Sequence, residues 1–80
     1  MSENVKDTER AMIAAKAILD GRNPVAHQAE VLVTAEHAIA TILLVCMEGD
    51  PRKAAGMLNE GLVPGIEQRL ALFAANGGGR

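Results

Sequence analysis

The sequence of 80 residues has almost no aromatic side chains, with one Phe, no Tyr and no Trp. Flat surfaces on which bases or sugars could stack are therefore missing, and a core must be built from aliphatic side chains. The single cysteine, Cys46, excludes an internal disulfide. Because Cys46 lies in the most apolar part of the sequence, we expect it to be a buried thiol rather than a nucleophile.

The sequence has no excess of positive charge, which would attract nucleic acid. Eight Lys and Arg are spread among ten Asp and Glu, and the formal net charge is −2. A basic stripe, the usual mark of a nucleic-acid-binding protein, is therefore missing. The polar start of the sequence lacks the apolar core of a signal peptide, and Glu36 and His37 leave the longest apolar run too short to cross a bilayer. We expect a cytoplasmic protein with neither a nucleic-acid partner nor a membrane partner.

Two similar turn signals divide the sequence into three segments, Asp20-Gly21-Arg22-Asn23-Pro24 and Glu48-Gly49-Asp50-Pro51. In each signal, Gly is expected to end one helix in the left-handed conformation, Asn or Asp to cap the next helix, and Pro to occupy its first turn. Alternation of apolar and polar residues with period two, typical of strands, is not found. We predict an all-α fold with one domain over residues 1–80, arranged as a three-segment antiparallel helical bundle and completed by dimerisation.

The first segment is predicted to be helical from Asp7 or Thr8 to Asp20, with residues 1–6 frayed. The second segment is predicted to run from Pro24 to Glu48 and to form the longest helix. Its apolar residues recur at heptad spacing and form a seam along one face. The members of this seam are Val25, Leu32, Ala35, Ile39, Ile42 and Cys46.

The third segment starts at Pro51, and its apolar residues keep a spacing of three and four as far as Phe73. Pro64 lacks a backbone N–H and crowds the carbonyl of Glu60, so the segment must bend or break there. The unbroken phase of the apolar stripe favours one kinked helix over two separate helices. Residues 76–80 are expected to form a mobile tail.

The run from Ile39 to Met47 leaves almost no polar face on the second helix. A helix that is apolar all round must be enclosed, and a short chain has few elements with which to enclose it. If the first and third segments each cover one side, a third side stays open. Pairing of two copies about a two-fold axis would cover that side, and one larger protein partner is the weaker alternative. The predicted dimer interface consists of Leu32, Ile39, Ile42, Leu43 and Cys46.

The opposite face of the second helix carries the only group of residues that suggests chemistry, His27, Glu30, Thr34 and His37. Metal sites in helical bundles use paired Glu-x-x-His motifs, whereas here the order is reversed and the motif occurs once. His37 as a phosphoryl acceptor would lack a nearby cation for the phosphoryl oxygens. A solvated polar face is the simpler interpretation. A bundle that binds a metal or transfers phosphoryl groups through His27, Glu30 and His37 is the alternative.

The sequence offers no arrangement of residues typical of a catalytic site. Its one serine, Ser2, lies next to the start of the chain, and the carboxylates are scattered rather than paired. We therefore predict a small non-enzymatic interaction or regulatory protein without a cofactor or bound metal. It is expected to act as a homodimer through its central helix and possess a surface for a larger protein partner.

Overall fold

A computed structural model describes residues 3–76, with the side chains of residues 5–76. Helix α1 spans Glu3–Leu19 and helix α2 spans Gln28–Cys46. The third segment consists of helix α3 (Pro51–Met57), a π-helical turn (Leu58–Leu62) and helix α4 (Val63–Ala75). No strand occurs within residues 3–76. The prediction of an all-helical chain with three helical segments is confirmed.

Asp50 caps α3 as predicted, whereas Asn23 makes the same side-chain contacts at the start of the turn that precedes α2. The side-chain oxygens of Asn23 and Asp50 each accept hydrogen bonds from the backbone N–H groups two and three residues downstream, at 3.0–3.1 Å. Gly21 and Gly49 have φ angles of 70° and 82°, in the left-handed region that favours glycine. Short polar side chains at the cap position satisfy N–H groups that a helix cannot satisfy itself.

The end of α2 also uses a left-handed residue that the sequence pattern did not predict. The Gly49 N–H donates to the carbonyl of Leu44 at 2.7 Å, and the Glu48 N–H donates to that of Val45 at 3.2 Å. These two bonds form a Schellman motif, in which Glu48 (φ 54°) takes the position usually given to glycine. The helix therefore ends at Cys46, two residues before the predicted end.

Helix α1 begins earlier than predicted, and helix α2 begins later. α1 begins at Glu3, so residues 3–6, which we expected to be frayed, are helical. No Gly or Pro precedes residue 21, and acidic residues near a helix start are favourable for its dipole. α2 begins at Gln28, since residues 24–27 form a separate turn in which the His27 N–H donates to the Asn23 carbonyl at 2.9 Å.

The third segment is helical without interruption from Pro51 to Ala75, so the prediction of one helix rather than two is confirmed. The backbone accommodates Pro64 through a π turn rather than a simple kink. Within that turn the Val63 N–H donates to the carbonyl of Leu58, five residues earlier. Because a π turn is wider than an α turn, it gives the proline ring room beside the preceding carbonyls. The expected mobile tail lies outside the described residues, apart from Asn76, which forms a turn.

The chain divides into two compact units, Met1–Ile39 and Ala40–Arg80, with the boundary inside the continuous helix α2. The first unit holds α1, the first connection and the start of α2. The second holds the end of α2 and the third segment. Leu43 and Ala54 are the only buried residues among those whose side chains the structure describes, and both belong to the second unit.

Candidate interaction surface on helix α2

Helix α2 carries apolar side chains that the chain itself leaves open to solvent. Leu32 is 57% exposed, Ile42 59% and Val45 74%. Full burial of one such side chain is worth about 1.5–3 kcal/mol, and a whole domain is stable by only about 5–15 kcal/mol. Covering this surface would therefore change stability substantially. We call it the α2 surface, and its members, which share one side of the helix, are Leu32, Ile42, Val45 and Cys46.

The structure divides the five predicted interface residues into two groups. Leu32, Ile42 and Cys46 are exposed, whereas Ile39 is half-buried. Leu43 is 9% exposed and belongs to the small core of the second unit. Leu43 therefore already contributes to the packing of its own chain.

The expectation that Cys46 is buried is wrong for the single chain, in which this cysteine is exposed. The expectation assumed that neighbouring segments would cover the end of α2 on most sides. Leu43, three residues earlier, is covered by its own chain, but the side that carries Ile42 and Cys46 is not. Among the described residues, this side of α2 therefore stays open to solvent.

Three further apolar residues of α2 are exposed but were not among the predicted interface residues: Val45 lies beside the seam, whereas Val33 and Leu44 lie on the opposite side of the helix. The heptad pattern selects residues at the centre of a seam and omits the positions beside it. Their apolar character was visible in the sequence. Their exposure was not, because it depends on which side of α2 the other segments leave open.

Arg22 fixes the end of α1 to the first turns of α2 within the first unit. Its guanidinium donates to the backbone carbonyls of Ile18 and Leu19, the latter at 3.0 Å, and to the hydroxyl of Thr34 at 3.3 Å. The Thr34 hydroxyl in turn donates to the carbonyl of Glu30 at 3.2 Å. A cation at the C-terminal end of a helix is also favourable for the helix dipole. Thr34 therefore takes part in holding the first unit together.

The other polar residues of the predicted stripe do not converge on one point. Nδ1 of His27 lies 3.0 Å from Oε1 of Glu30, and both side chains are exposed. His37 lies seven residues beyond Glu30, which is about 10 Å along a helix. Among the residues that the structure describes, no group of three or more His, Cys, Asp and Glu could hold a metal ion. One chain thus brings together two of the three residues of the alternative site.

By length and composition alone, α2 is also the one helix among the described residues that could cross a membrane. This finding differs from the expectation that its apolar run is too short. The run is interrupted by Glu36 and His37, but the 19-residue helix as a whole remains sufficiently apolar. Core helices of soluble proteins meet the same criteria, although only 6% of the most apolar 18-residue stretch of this helix is buried within the chain.

No protein family model, curated protein or solved structure matches this chain. The functional interpretation therefore rests on the apolar character and exposure of the α2 surface.

Proposed function

We propose that the protein is a small, non-enzymatic interaction or regulatory protein that acts in the cytoplasm as a homodimer formed through α2. The observation that carries this proposal is the exposure of the α2 surface, in particular of Leu32, Ile42 and Val45. In a homodimer the same surface of each copy covers that of the other about a two-fold axis.

The size of the two units supports the need for a partner chain. Met1–Ile39 and Ala40–Arg80 contain 39 and 41 residues. Both units are close to the size of about 40 residues below which a disulfide, a metal or oligomerisation is usually needed for stability. With Cys46 as the only cysteine, an internal disulfide is impossible. Oligomerisation supplies the missing apolar contacts without any further ligand.

A second copy suits α2 better than lipid does. Glu36 and His37 lie at the middle of Gln28–Cys46, and a charged residue at the centre of a membrane-spanning helix costs about 2.5–3.5 kcal/mol. The chain has no Trp or Tyr, the residues that anchor such helices at the two membrane surfaces. At a dimer interface, Glu36 and His37 can remain in contact with solvent at the edge.

The completed bundle would act by occupying a surface of a larger protein rather than by catalysis. Paired helices leave their outer faces free for such a contact, and helix faces are a common means of recognition between proteins. The exposed pair of His27 and Glu30 fits a solvated outer face. A metal or phosphotransfer site would need His37, or further ligands from a second copy, to join this pair.

The test compares two substitutions of the same kind. Ile42→Glu places a charge on the α2 surface, and Ile13→Glu places one on α1, where Ile13 is 69% exposed. Sedimentation equilibrium should give the mass of two chains for the wild type and for Ile13→Glu. Ile42→Glu should give one chain, with reduced helical circular dichroism if the single chain unfolds. A fully helical Ile42→Glu protein with the mass of two chains would contradict the proposal.

A further inference from the structure

We propose that the π turn (Leu58–Leu62) and Pro64 form a conformational device that sets the rotation of α4 about the axis of the third segment. The device keeps the apolar side chains of α4 in line with the covered side of α3. All residues involved belong to the second unit, Ala40–Arg80. The proposal does not depend on the homodimer, because it concerns one segment of a single chain.

The third segment begins with one side covered by the chain. Ala54 is buried, and Leu58 and Leu62, which follow at intervals of four residues, are half-buried. In a regular α-helix, residues four apart are displaced by about 40° around the axis, because about 3.6 residues complete one turn. Each interval of four therefore moves an apolar stripe further from the side on which it began.

The apolar residues of α4 continue with the same interval. Ile66 and Leu70 follow Leu62 at intervals of four, and Phe73 comes three residues later. An uninterrupted α-helix would place Ile66 about 120° from Ala54 around the axis, and Leu70 about 160°. The angle for Phe73 would be about 100°. The stripe of α4 would then face away from the covered side of α3.

The π turn removes this displacement. It is closed by a backbone hydrogen bond between residues five apart, so it contains one residue more than an α turn. Each residue after the turn therefore takes the angular position that the residue before it would have in an uninterrupted helix, a change of about 100°. Ile66 then lies about 20° from Ala54 around the axis, and Leu70 about 60°. Phe73 lies almost in line with Ala54.

The cover provided by the chain ends near the start of α4. Leu62 is half-buried and Ile66 is 41% exposed, whereas Leu70 and Phe73 are 62% and 68% exposed. The aligned stripe thus begins on the covered side and extends beyond it. A rotation of α4 by one residue would therefore affect the packing of Leu62 and Ile66 first, because these two side chains have cover to lose.

Pro64 excludes the regular alternative to the π turn. In an α turn its missing N–H would leave the Glu60 carbonyl without a donor, and its ring would crowd that carbonyl. Because π turns are rare and the α turn is the ordinary form of a helix, removal of the proline ring should let the turn return to the α form. α4 would then rotate out of line with α3.

NMR couplings across hydrogen bonds distinguish the two forms of the turn directly. In the wild type, the amide nitrogen of Val63 should couple to the carbonyl carbon of Leu58. In Pro64→Ala it should couple to that of Asn59, four residues earlier. Pro51→Ala, in the first turn of α3, is the matched control and should keep the wild-type coupling. The same coupling partner in the wild type and in Pro64→Ala would contradict the role of Pro64.

A deletion separates the rotation of α4 from the loss of the proline. In the Pro64→Ala background, deletion of Glu60, an exposed residue of the turn, gives a regular helix in which α4 keeps its wild-type rotation. Glu60→Ala in the same background removes the same side chain but leaves α4 rotated. Thermal unfolding at one protein concentration should give a Tm several degrees higher for the deletion. A Tm equal to or below that of the Glu60→Ala protein would overturn the proposed alignment.

Discussion

At the scale of single residues, Arg22 makes the contact that the sequence least revealed. An arginine in a connection has many potential acceptors, and only the path of the chain brings Thr34 of α2 within 3.3 Å of this one. The exposure of Cys46 was missed for a related reason. Local sequence describes the apolar character of a residue, whereas burial depends on segments that are distant in sequence.

The contacts of Arg22 predict that Arg22→Ala lowers the free energy of unfolding by about 1–2 kcal/mol, because hydrogen bonds to a charged donor are stronger than neutral ones. Arg22→Lys should recover only part of this loss, since an ammonium group cannot reproduce the planar arrangement of donors. Urea denaturation at one fixed protein concentration measures both effects. Arg52→Ala, at an exposed position, should change stability by less than about 0.5 kcal/mol. An equal loss of unfolding free energy for Arg22→Ala and Arg52→Ala would show that the hydrogen bonds of Arg22 do not stabilise the protein.

At the scale of helices and connections, the sequence predicts features that depend on neighbouring residues, such as caps, better than it predicts how the backbone accommodates a residue such as Pro64. The cap Asp50 and the side-chain contacts of Asn23 were predicted because such contacts depend on only three or four neighbouring residues, although Asn23 precedes a turn rather than α2 itself. The constraint from Pro64 was also predicted, but its solution as a π turn was not. A kink, a break and a π turn all relieve the same clash, and the surrounding packing decides among them. The pattern of the α2 seam likewise could not reveal which of its residues the chain covers.

The cap at the start of the third segment gives a prediction at this scale. Asp50→Ala should lower the free energy of unfolding by about 1 kcal/mol, because the N–H groups of Arg52 and Lys53 lose their side-chain acceptor. Asp50→Asn retains an acceptor at the same place and should remain close to the wild type. Thermal unfolding followed by circular dichroism would measure both. A large loss in Asp50→Asn would mean that the charge of Asp50 matters more than its hydrogen bonds.

At the scale of the whole molecule, the segments of the fold were predictable and their assembly was not. The described residues contain two buried residues, Leu43 and Ala54, and several exposed large apolar ones. Chains of this size bury a smaller fraction of their surface than larger domains do, and their stability is usually marginal. The antiparallel arrangement of the segments and the dimerisation remain predictions, because neither follows from the order of the helices along the sequence.

The homodimer predicts a stability that depends on protein concentration, because unfolding then separates two chains. A tenfold rise in concentration adds about 1.4 kcal/mol per dimer, which corresponds to a Tm higher by roughly 4 °C for two chains of this length. Calorimetry of the wild type and of Ile13→Glu should show this rise. Ile42→Glu should melt earlier, with a Tm that no longer depends on concentration, if its monomer folds at all. A wild-type Tm that stays constant over a hundredfold range well above any measured dissociation constant would place the stability within the single chain, and the exposed α2 surface would then need another explanation.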